Sequence, residues 1–451
     1  MRRYFGTDGV RAVANAGLSA ELAFAIGLAL GDQVIAQPPH RRVLIGRDSR
    51  LSGDLLEAAV GAGLMAMGVD VWALGVVPTP AVAWATRHSD ACAGVMISAS
   101  HNPIEDNGIK IFGADGFKLT DQQEESLEAG IDGSHPHRPV GVGVGQRREA
   151  TRLRQSYVHQ LSALSTARWS GSVIADCAWG AAAPLARQVL AGSGAHVRLL
   201  HGVPDGQRIN VKSGSTDLES LQQAVRRRGH GTIGVAFDGD ADRALAVDEM
   251  GEVVTGDHLI GMFAPWFRAK GWLEGGGVAL TVLANGGLRR ALAGQGVQVV
   301  ETQVGDRYLL EGMRQANFAL AGEPSGHLLA LTFNTTGDGL LTARLLLWLL
   351  AESGQTLSAL RASFTPFPHL ESALPVADKQ RVFADPRLTE AVAVQRAQLG
   401  QLGRVTVRPS GTEPLIRVMV EGQDVAICTR VRDTLLALIA GLNQEVVGQG
   451  G

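Results

Sequence analysis

Short apolar, β-branched runs alternate with helical patterns along most of this chain, and that alternation limits it to an α/β fold with parallel or mixed sheets. "RRVLIG" precedes "SGDLLEAAVGAGLMAMG", "VDVWALG" precedes "TPAVAWATRH", and "ACAGVMIS" follows. A second unit starts with a helix from about Thr151 and runs through "GSVIADCAWGAAAPLARQVLAGSGAHVRLL": strand, Gly-rich turn, helix, strand. A third begins near "TGDHLIGMFAPWF", with "GVALTVL" and "VQVVETQ" as its strands. From about Pro366 the pattern stops, and "VTVRPSGTEPLIRVMVEG" with the helix "VAICTRVRDTLLALIAGL" reads as a smaller α+β domain. At 451 residues the chain exceeds what one core supports. The expected division is 1–149, 150–253 and 254–366 for three similar α/β units and 367–451 for the C-terminal domain. The Gly-, Pro- and His-rich stretch at about 130–147 is a loop or boundary.

Composition narrows the partners. Apolar residues make up 45% and charged residues 19%, and the net charge of -3 gives no general pull toward nucleic acid or anionic membrane. The triplet Arg226-Arg227-Arg228 sits before Gly229, as cations do in an ordinary helix C-terminus. Cys92, Cys177 and Cys428 are far apart and odd in number, which fits neither a disulfide framework nor a zinc site. Asp8 and Arg11 interrupt any signal-peptide core, and "GLLTARLLLWLLAESG" carries Arg344 and is too short to span a bilayer. A reducing, cytoplasmic location is the expectation.

Three stretches echo one another: "AGVMISASHNP", "IGVAFDGDADR" and "FALAGEPSGH" each join a short apolar strand to a polar loop. Loops presented from comparable strand ends would surround one central cleft. In "FDGDADR", Asp238, Asp240 and Asp242 are spaced by two, and such close carboxylates repel unless a cation is present. The loop also opens like a calcium EF-hand, but Arg243 stands where that loop needs Gly and the flanks read as strands. A solvated acidic turn need not follow a buried strand. Mg²⁺, sharing the carboxylates with a phosphate oxygen, is the better reading.

"RPSGTEPLIR" offers Ser410, Gly411 and Thr412 in a tight turn with Arg408 and Arg417 nearby, a phosphate cradle rather than a P-loop. "GEPSGH" supplies Glu323, Ser325 and His327, suited to a polyol. The mouth of the first strand carries Ser98, Ser100, His101 and Asn102 before Pro103 ends the strand. No G-x-S-x-G elbow accompanies these serines. Beside a Mg²⁺ triad and a phosphate cradle, Ser100 is suited to carry a phosphoryl group, which would add an oxygen ligand for the cation. Lys110 or His327 would handle the proton.

Ten ordered motifs now stand in line: "FGTDGVR", "IGRDSRLSG", "PTPAVA", "ISASHNP" with "DNGIK", "DCA" with "GA", "FDGDADR", "VGDRYLLE", "GEPSGH", "TTGDGLLTA" and "RPSGTEPLIRVM". Through them the chain resembles the α-D-phosphohexomutase superfamily, and its two end motifs are closest to the glucosamine branch. The resemblance implies a phosphoserine at Ser100 and one Mg²⁺ per chain on Asp238, Asp240 and Asp242 with that phosphate. It implies Arg11, Lys110 and Arg243 around the reacting phosphate, and His101 joins this candidate set. Glu323 and Ser325 would read sugar hydroxyls with His327 alongside, while Arg408, Ser410, Gly411, Thr412 and Arg417 would grip the distal phosphate. The implied activity is an isomerase-class phosphotransfer between glucosamine 6- and 1-phosphates through a 1,6-bisphosphate. A hexose 1,6-bisphosphate would activate it, and its product would feed amino-sugar nucleotide and cell-wall precursor synthesis. A homodimer is the oligomer allowed for, with a sugar phosphate as the small-molecule partner. Rivals are the same chemistry on mannose or glucose phosphates, a serine phosphomonoesterase and a non-catalytic sensor. Ala12, Trp179, "SGSTDL" and Pro324 depart from the usual pattern, and Pro324 removes an N–H beside Glu323.

Overall fold

The computed structural model describes residues 3–6, 8–35, 41–135, 138–229, 231–400, 403–410 and 413–448. The chain divides into two compact units, one of Met1–Leu283 with Val300–Arg361 and the other of Ala284–Val299 with Ala362–Gly451.

The first unit holds three sheets. Strands β1 (Val10–Val13), β2 (Arg42–Arg47), β3 (Asp70–Val76), β4 (Ala93–Ile97), β5 (Asp106–Gly113) and β6 (Arg147–Glu149) form a sheet in the order β1-β5-β4-β2-β3-β6. The strands β2, β3, β4 and β6 run parallel, and β5 turns back antiparallel on β4. The Gly- and Pro-rich stretch before Arg147 thus leads back into this sheet. In the second sheet, β7 (Ser172–Asp176), β8 (His196–Leu200), β9 (Thr232–Phe237), β10 (Ala244–Val247) and β11 (Val253–Val254) lie in the order β11-β10-β9-β7-β8. The third has β12 (Gly277–Thr281), β13 (Gln298–Thr302), β14 (Leu320–Gly322) and β15 (Leu328–Ala330) in the order β13-β12-β14-β15.

These sheets share one device. A parallel strand buried along its whole length ends in a polar loop, and the chain returns as an antiparallel neighbour. β4 returns as β5, β9 as β10 and β14 as β15. β4, β9 and β14 are buried at every residue, as helices on both faces require. The three echoed stretches of sequence are these three hairpins.

Helices cover the sheets closely. Ala20–Ile35 crosses Gly53–Ala66 at glycines: a Cβ on Gly63 would lie 2.4 Å from the Phe24 carbonyl oxygen, so nothing larger fits. The apolar stretch with Arg344 is the buried helix Gly339–Ser353, and the Arg344 guanidinium donates to the Leu161 and Ser162 carbonyls. No helix among the described residues is long and apolar enough to cross a membrane. Arg226, Arg227 and Arg228 occupy the last turn of Glu219–Arg228, closed by Gly229 at φ +81°.

The second unit carries β16 (His369–Pro375), β17 (Arg404–Pro409) and β18 (Leu415–Glu421), antiparallel in the order β16-β18-β17. The long helix Val425–Gly448 packs on them through Cys428, Val431, Leu435, Ile439 and Leu442. Asn285, at the start of Gly286–Gly294, donates to the Phe367 carbonyl and to Glu421.

Asp338 caps the helix Gly339–Ser353 from inside the core, accepting from Leu341 N, Asn334 and Tyr157. Burial pushes its carboxyl up to about 6, against the hydrogen bonds that oppose it. The folded state therefore binds this proton more tightly than the unfolded chain. Wild-type stability should fall as pH rises between about 4 and 6 on account of this one group, by about 3 kcal/mol. Asp338→Asn should lose that slope in urea titrations run across the interval; an unchanged slope would contradict the assignment.

Candidate active site

Ser100 follows β4 in a left-handed conformation, φ +53°, which costs a non-glycine residue roughly 1 kcal/mol or more. Its surroundings over-determine it. Ser100 N donates to Ser98 Oγ at 2.9 Å, and Ser98 Oγ donates to Asp48 at 2.6 Å, so Ser98 supports the loop rather than the triad. Arg50 is buried with Asp48 and uses every N–H: one to Asp48, and the others to the carbonyls of Ser100, Asn102, Pro103 and Asp106. Asn210 adds a donor to the Ser100 carbonyl at 2.9 Å.

The Ser100 hydroxyl points at the second hairpin, donating to Asp238 at 2.5 Å. The backbones meet closely there, because a Cβ on Gly239 would lie 2.5 Å from the Ser100 carbonyl oxygen. Asp238, Asp240 and Asp242 are buried, and each presents a carboxylate oxygen within 4.8 Å of the others. Asp240 Oδ2 accepts from Thr79 at 2.6 Å and from Lys110 at 2.8 Å. Asp240 Oδ1 and Asp242 Oδ1 are buried with no hydrogen-bond partner among the described residues. Burial, then the charges of Asp242 and Asp240, push Asp238 well above the usual carboxylate range. Orphaned carboxylate oxygens in a crowded, all-oxygen pocket fit a hard divalent cation.

The third hairpin closes the group. Arg243 bridges to His327 across the loops, and its backbone N–H donates to Asp238 at 3.2 Å. Glu323 accepts from Ser325 Oγ at 3.0 Å and from Gly305 N at 3.2 Å. His327 Nε2 lies 2.9 Å from Asp306, and Nδ1 lies 3.7 Å from Asp242. Burial alone would lower His327, but Asp306 and Asp242 outweigh it and lift the imidazole to about 10. Burial likewise opposes the charge on Lys110, and Asp240, Asp8 and Asp242 overcome it and raise its pKa. His101, 3.3 Å from Ser100 Oγ, goes the other way: burial, then Arg243, push it down to about 4. Arg11 pairs with Asp8, and the Nε atoms of Arg11 and Arg243 are buried without a hydrogen bond among the described residues, Arg243 Nε lying 3.9 Å from Asp242 Oδ1. A cavity of about 380 Å³ lies alongside, lined in part by Asp8, Lys110, Lys118, Asp306, Arg307 and Arg314.

The second unit holds the remaining candidates. Arg408 and Arg417 sit directly opposite one another on β17 and β18, an arrangement that repels without an anion or acid. Glu413 takes one of them, accepting from Arg417 at 2.9 Å. Ser410 Oγ accepts from Glu413 N at 3.3 Å, and Lys379 donates to the Ser410 carbonyl at 2.6 Å. Gly411 and Thr412 lie outside the described residues.

Four domains of the phosphoglucomutase/phosphomannomutase family match in order: α/β/α domain I at residues 2–137, domain II at 155–251, domain III at 255–367 and the C-terminal domain at 371–438. A phosphoglucosamine mutase from Moorella thermoacetica is 48% identical over 99% of this chain and 100% of its own. The chain belongs to the phosphoglucosamine mutase family of phosphohexomutases. Among solved structures, a phosphoglucomutase/phosphomannomutase family protein from Burkholderia thailandensis shares the fold at TM-score 0.78 and 24% identity, covering 97% of this chain and 96% of its own. An N-acetylphosphoglucosamine mutase from Aspergillus fumigatus, solved with GlcNAc-6P and magnesium, does so at TM-score 0.65 and 18% identity, over 98% and 96%.

Asp48, Arg50, Thr79, Lys118, Asn210 and Asp306 also shape the site and are not among the residues singled out from sequence. For Asp48 and Arg50 a signal existed in "IGRDSRLSG", since two opposite charges at the end of an apolar strand need buried partners.

Two outcomes follow for the carboxylate trio. In EDTA, Asp238→Asn should be at least as stable as wild type, because it replaces a buried carboxyl whose charge burial and its two neighbours oppose. Saturating Mg²⁺ should raise the wild-type melting temperature, by about 2.7 kcal/mol of stability at a hundredfold excess over Kd, and raise that of Asp238→Asn far less. Scanning calorimetry with no Mg²⁺ response in wild type would contradict a cation site.

Proposed function

We propose that this protein interconverts glucosamine 6-phosphate and glucosamine 1-phosphate, with Ser100 as the phosphoryl carrier, supplying amino-sugar nucleotide and cell-wall precursor synthesis. The observation that carries the reading is the Ser100 hydroxyl, held in a left-handed loop and hydrogen-bonded at 2.5 Å to the buried acidic trio. Its full-length similarity to relatives named phosphoglucosamine mutase, at 43% to 48% identity, supports the choice of sugar.

In the first half-reaction the phosphoserine O–P bond breaks and a bond forms from phosphorus to the sugar O1. Lys110 or His327, both held protonated, gives a proton to the departing Ser100 Oγ and is recharged by the O1 proton, so Ser100 ends as a hydroxyl. The sugar 1,6-bisphosphate then turns over in the site. In the second half-reaction Ser100 Oγ loses its proton and takes the phosphoryl group from O6, and O6 gains a proton. Ser100 is again phosphorylated, and glucosamine 1-phosphate leaves. A magnesium ion on Asp238, Asp240 and Asp242 would offset the charge of the phosphoryl group. Arg11 and Arg243 bring their Nε donors to that group, and His101, neutral beside Ser100, adds a polar wall without a charge. Glu323 and Ser325 take sugar hydroxyls, with His327 alongside. Arg408, Ser410, Gly411, Thr412 and Arg417 hold the phosphate that is not reacting, the part common to both sugar orientations. A hexose 1,6-bisphosphate primes the cycle by phosphorylating an unloaded Ser100.

The test is ³¹P NMR of the Mg²⁺-loaded protein with a catalytic amount of hexose 1,6-bisphosphate and, separately, glucosamine, glucose and mannose 6-phosphates. Fastest conversion of glucosamine 6-phosphate to the 1-phosphate is expected, with Ser100→Ala reduced at least about 10³-fold. Faster conversion of glucose or mannose phosphate would overturn the choice of sugar. Release of inorganic phosphate alone would overturn the mutase.

A further inference from the structure

Six charged side chains around the reacting centre form a closed ring of alternating sign. Asp8 lies 3.3 Å from Lys110, and Lys110 lies 3.7 Å from Asp242. Asp242 lies 3.7 Å from His327, and His327 lies 2.9 Å from Asp306. Asp306 lies 2.7 Å from Lys118, which returns to Asp8 through a short contact. Half of the ring comes from the first hairpin sheet and its loops, Asp242 from the second hairpin, and His327 and Asp306 from the third sheet.

Asp306 and Lys118 stand on the side of this ring away from the acidic trio. Asp306 is the first residue of the helix Asp306–Ala316, where the helix dipole favours a carboxylate. It divides its two oxygens, Oδ1 to His327 Nε2 and Oδ2 to Lys118 Nζ. The imidazole is also pinned on its face, because a Cβ on Gly337 would fall 2.3 Å from His327 Cε1 and within 2.8 Å of both ring nitrogens. Asp306 occupies Nε2, and Gly337 packs against one face of the ring. Nδ1 is left facing Asp242.

We infer that Asp306, itself held by Lys118, is the positioning residue for His327 in the mutase reaction, fixing which ring nitrogen faces the reacting phosphate. Lys118 holds Asp306 at 2.7 Å, and its contact with Asp8 ties the first sheet's loop to the same arrangement. This rests on His327 serving as a carrier of the proton in the proposed mutase. Carboxylates that orient a metal-bound histidine from behind typically matter by about 10- to 100-fold, and the same scale is expected for this pair.

The experiment is steady-state kinetics of the full-length, Mg²⁺-loaded protein, using whichever hexose phosphate wild type turns over fastest. Asp306→Asn should lower kcat about 10- to 100-fold with KM within about threefold, since the loss is in orientation and not in sugar binding. Lys118→Met should fall by a similar factor, and Lys118→Arg, which keeps the ion pair, should recover most of the rate. The double variant Asp306→Asn/Lys118→Met should be no slower than the slower single, because residues acting as one unit are not additive. Unchanged kcat in Asp306→Asn, a loss confined to KM, or multiplying losses in the double variant would each overturn the inference. If Asp306→Asn fails to fold, the Met and Arg variants at Lys118 decide alone: equal rates in the two would overturn it. Wild type without mutase turnover would instead overturn the mutase reading and this inference with it.

Discussion

Three carboxylates buried within 4.8 Å of one another are the constraint that the candidate site must satisfy. Buried like charges are costly, and proteins keep them only where opposite charge is matched to them. Lys110, at 2.8 Å from Asp240 and fully buried, supplies part of that charge from the first sheet, and His327 supplies part from the third. Among the described residues, Asp240 Oδ1 and Asp242 Oδ1 still lack a hydrogen bond. The arrangement is thus incomplete in a specific way: it fits a cation.

The fold answers this demand with one repeated device. Each of three sheets ends a buried parallel strand in a polar loop and returns it antiparallel, so each loop is anchored by ladders on both sides. Precision at Ser100 then comes from Arg50. A guanidinium with five donors and five accepting partners turns a flexible Ser-His-Asn-Pro loop into a rigid platform, and it holds a non-glycine residue at positive φ. Its burial is tolerable because no donor is left over.

Much of this was legible in the sequence, and the reasons are local. Short continuous apolar runs set against helical patterns reveal the α/β sheets, and carboxylates at every second residue after a buried strand reveal the trio. What stayed hidden was long-range. Arg50 meets carbonyls about fifty residues away, and backbone acceptors leave no trace in side-chain identity. Lys118 and Asp306 lie far apart in the sequence, where charged residues normally face solvent, and only tertiary packing brings them together at 2.7 Å. Ser98 and Ser100, two residues apart and chemically alike, divide their work by backbone geometry: one bonds back to Asp48, the other points across to Asp238. The facing of Arg408 and Arg417 across β17 and β18 is a matter of register, which the hairpin sets.

The central claim is that Ser100 carries the phosphoryl group. It is tested most directly by peptide mass spectrometry of the protein after incubation with Mg²⁺ and a hexose 1,6-bisphosphate, followed by a chase with excess sugar monophosphate. The account predicts one phosphoryl group on the peptide containing Ser100, at that residue and not at Ser98, turned over when the chase sugar is isotopically labelled in its phosphate. Phosphate found at another residue, or a Ser100 phosphate that does not exchange with the labelled sugar, would contradict it.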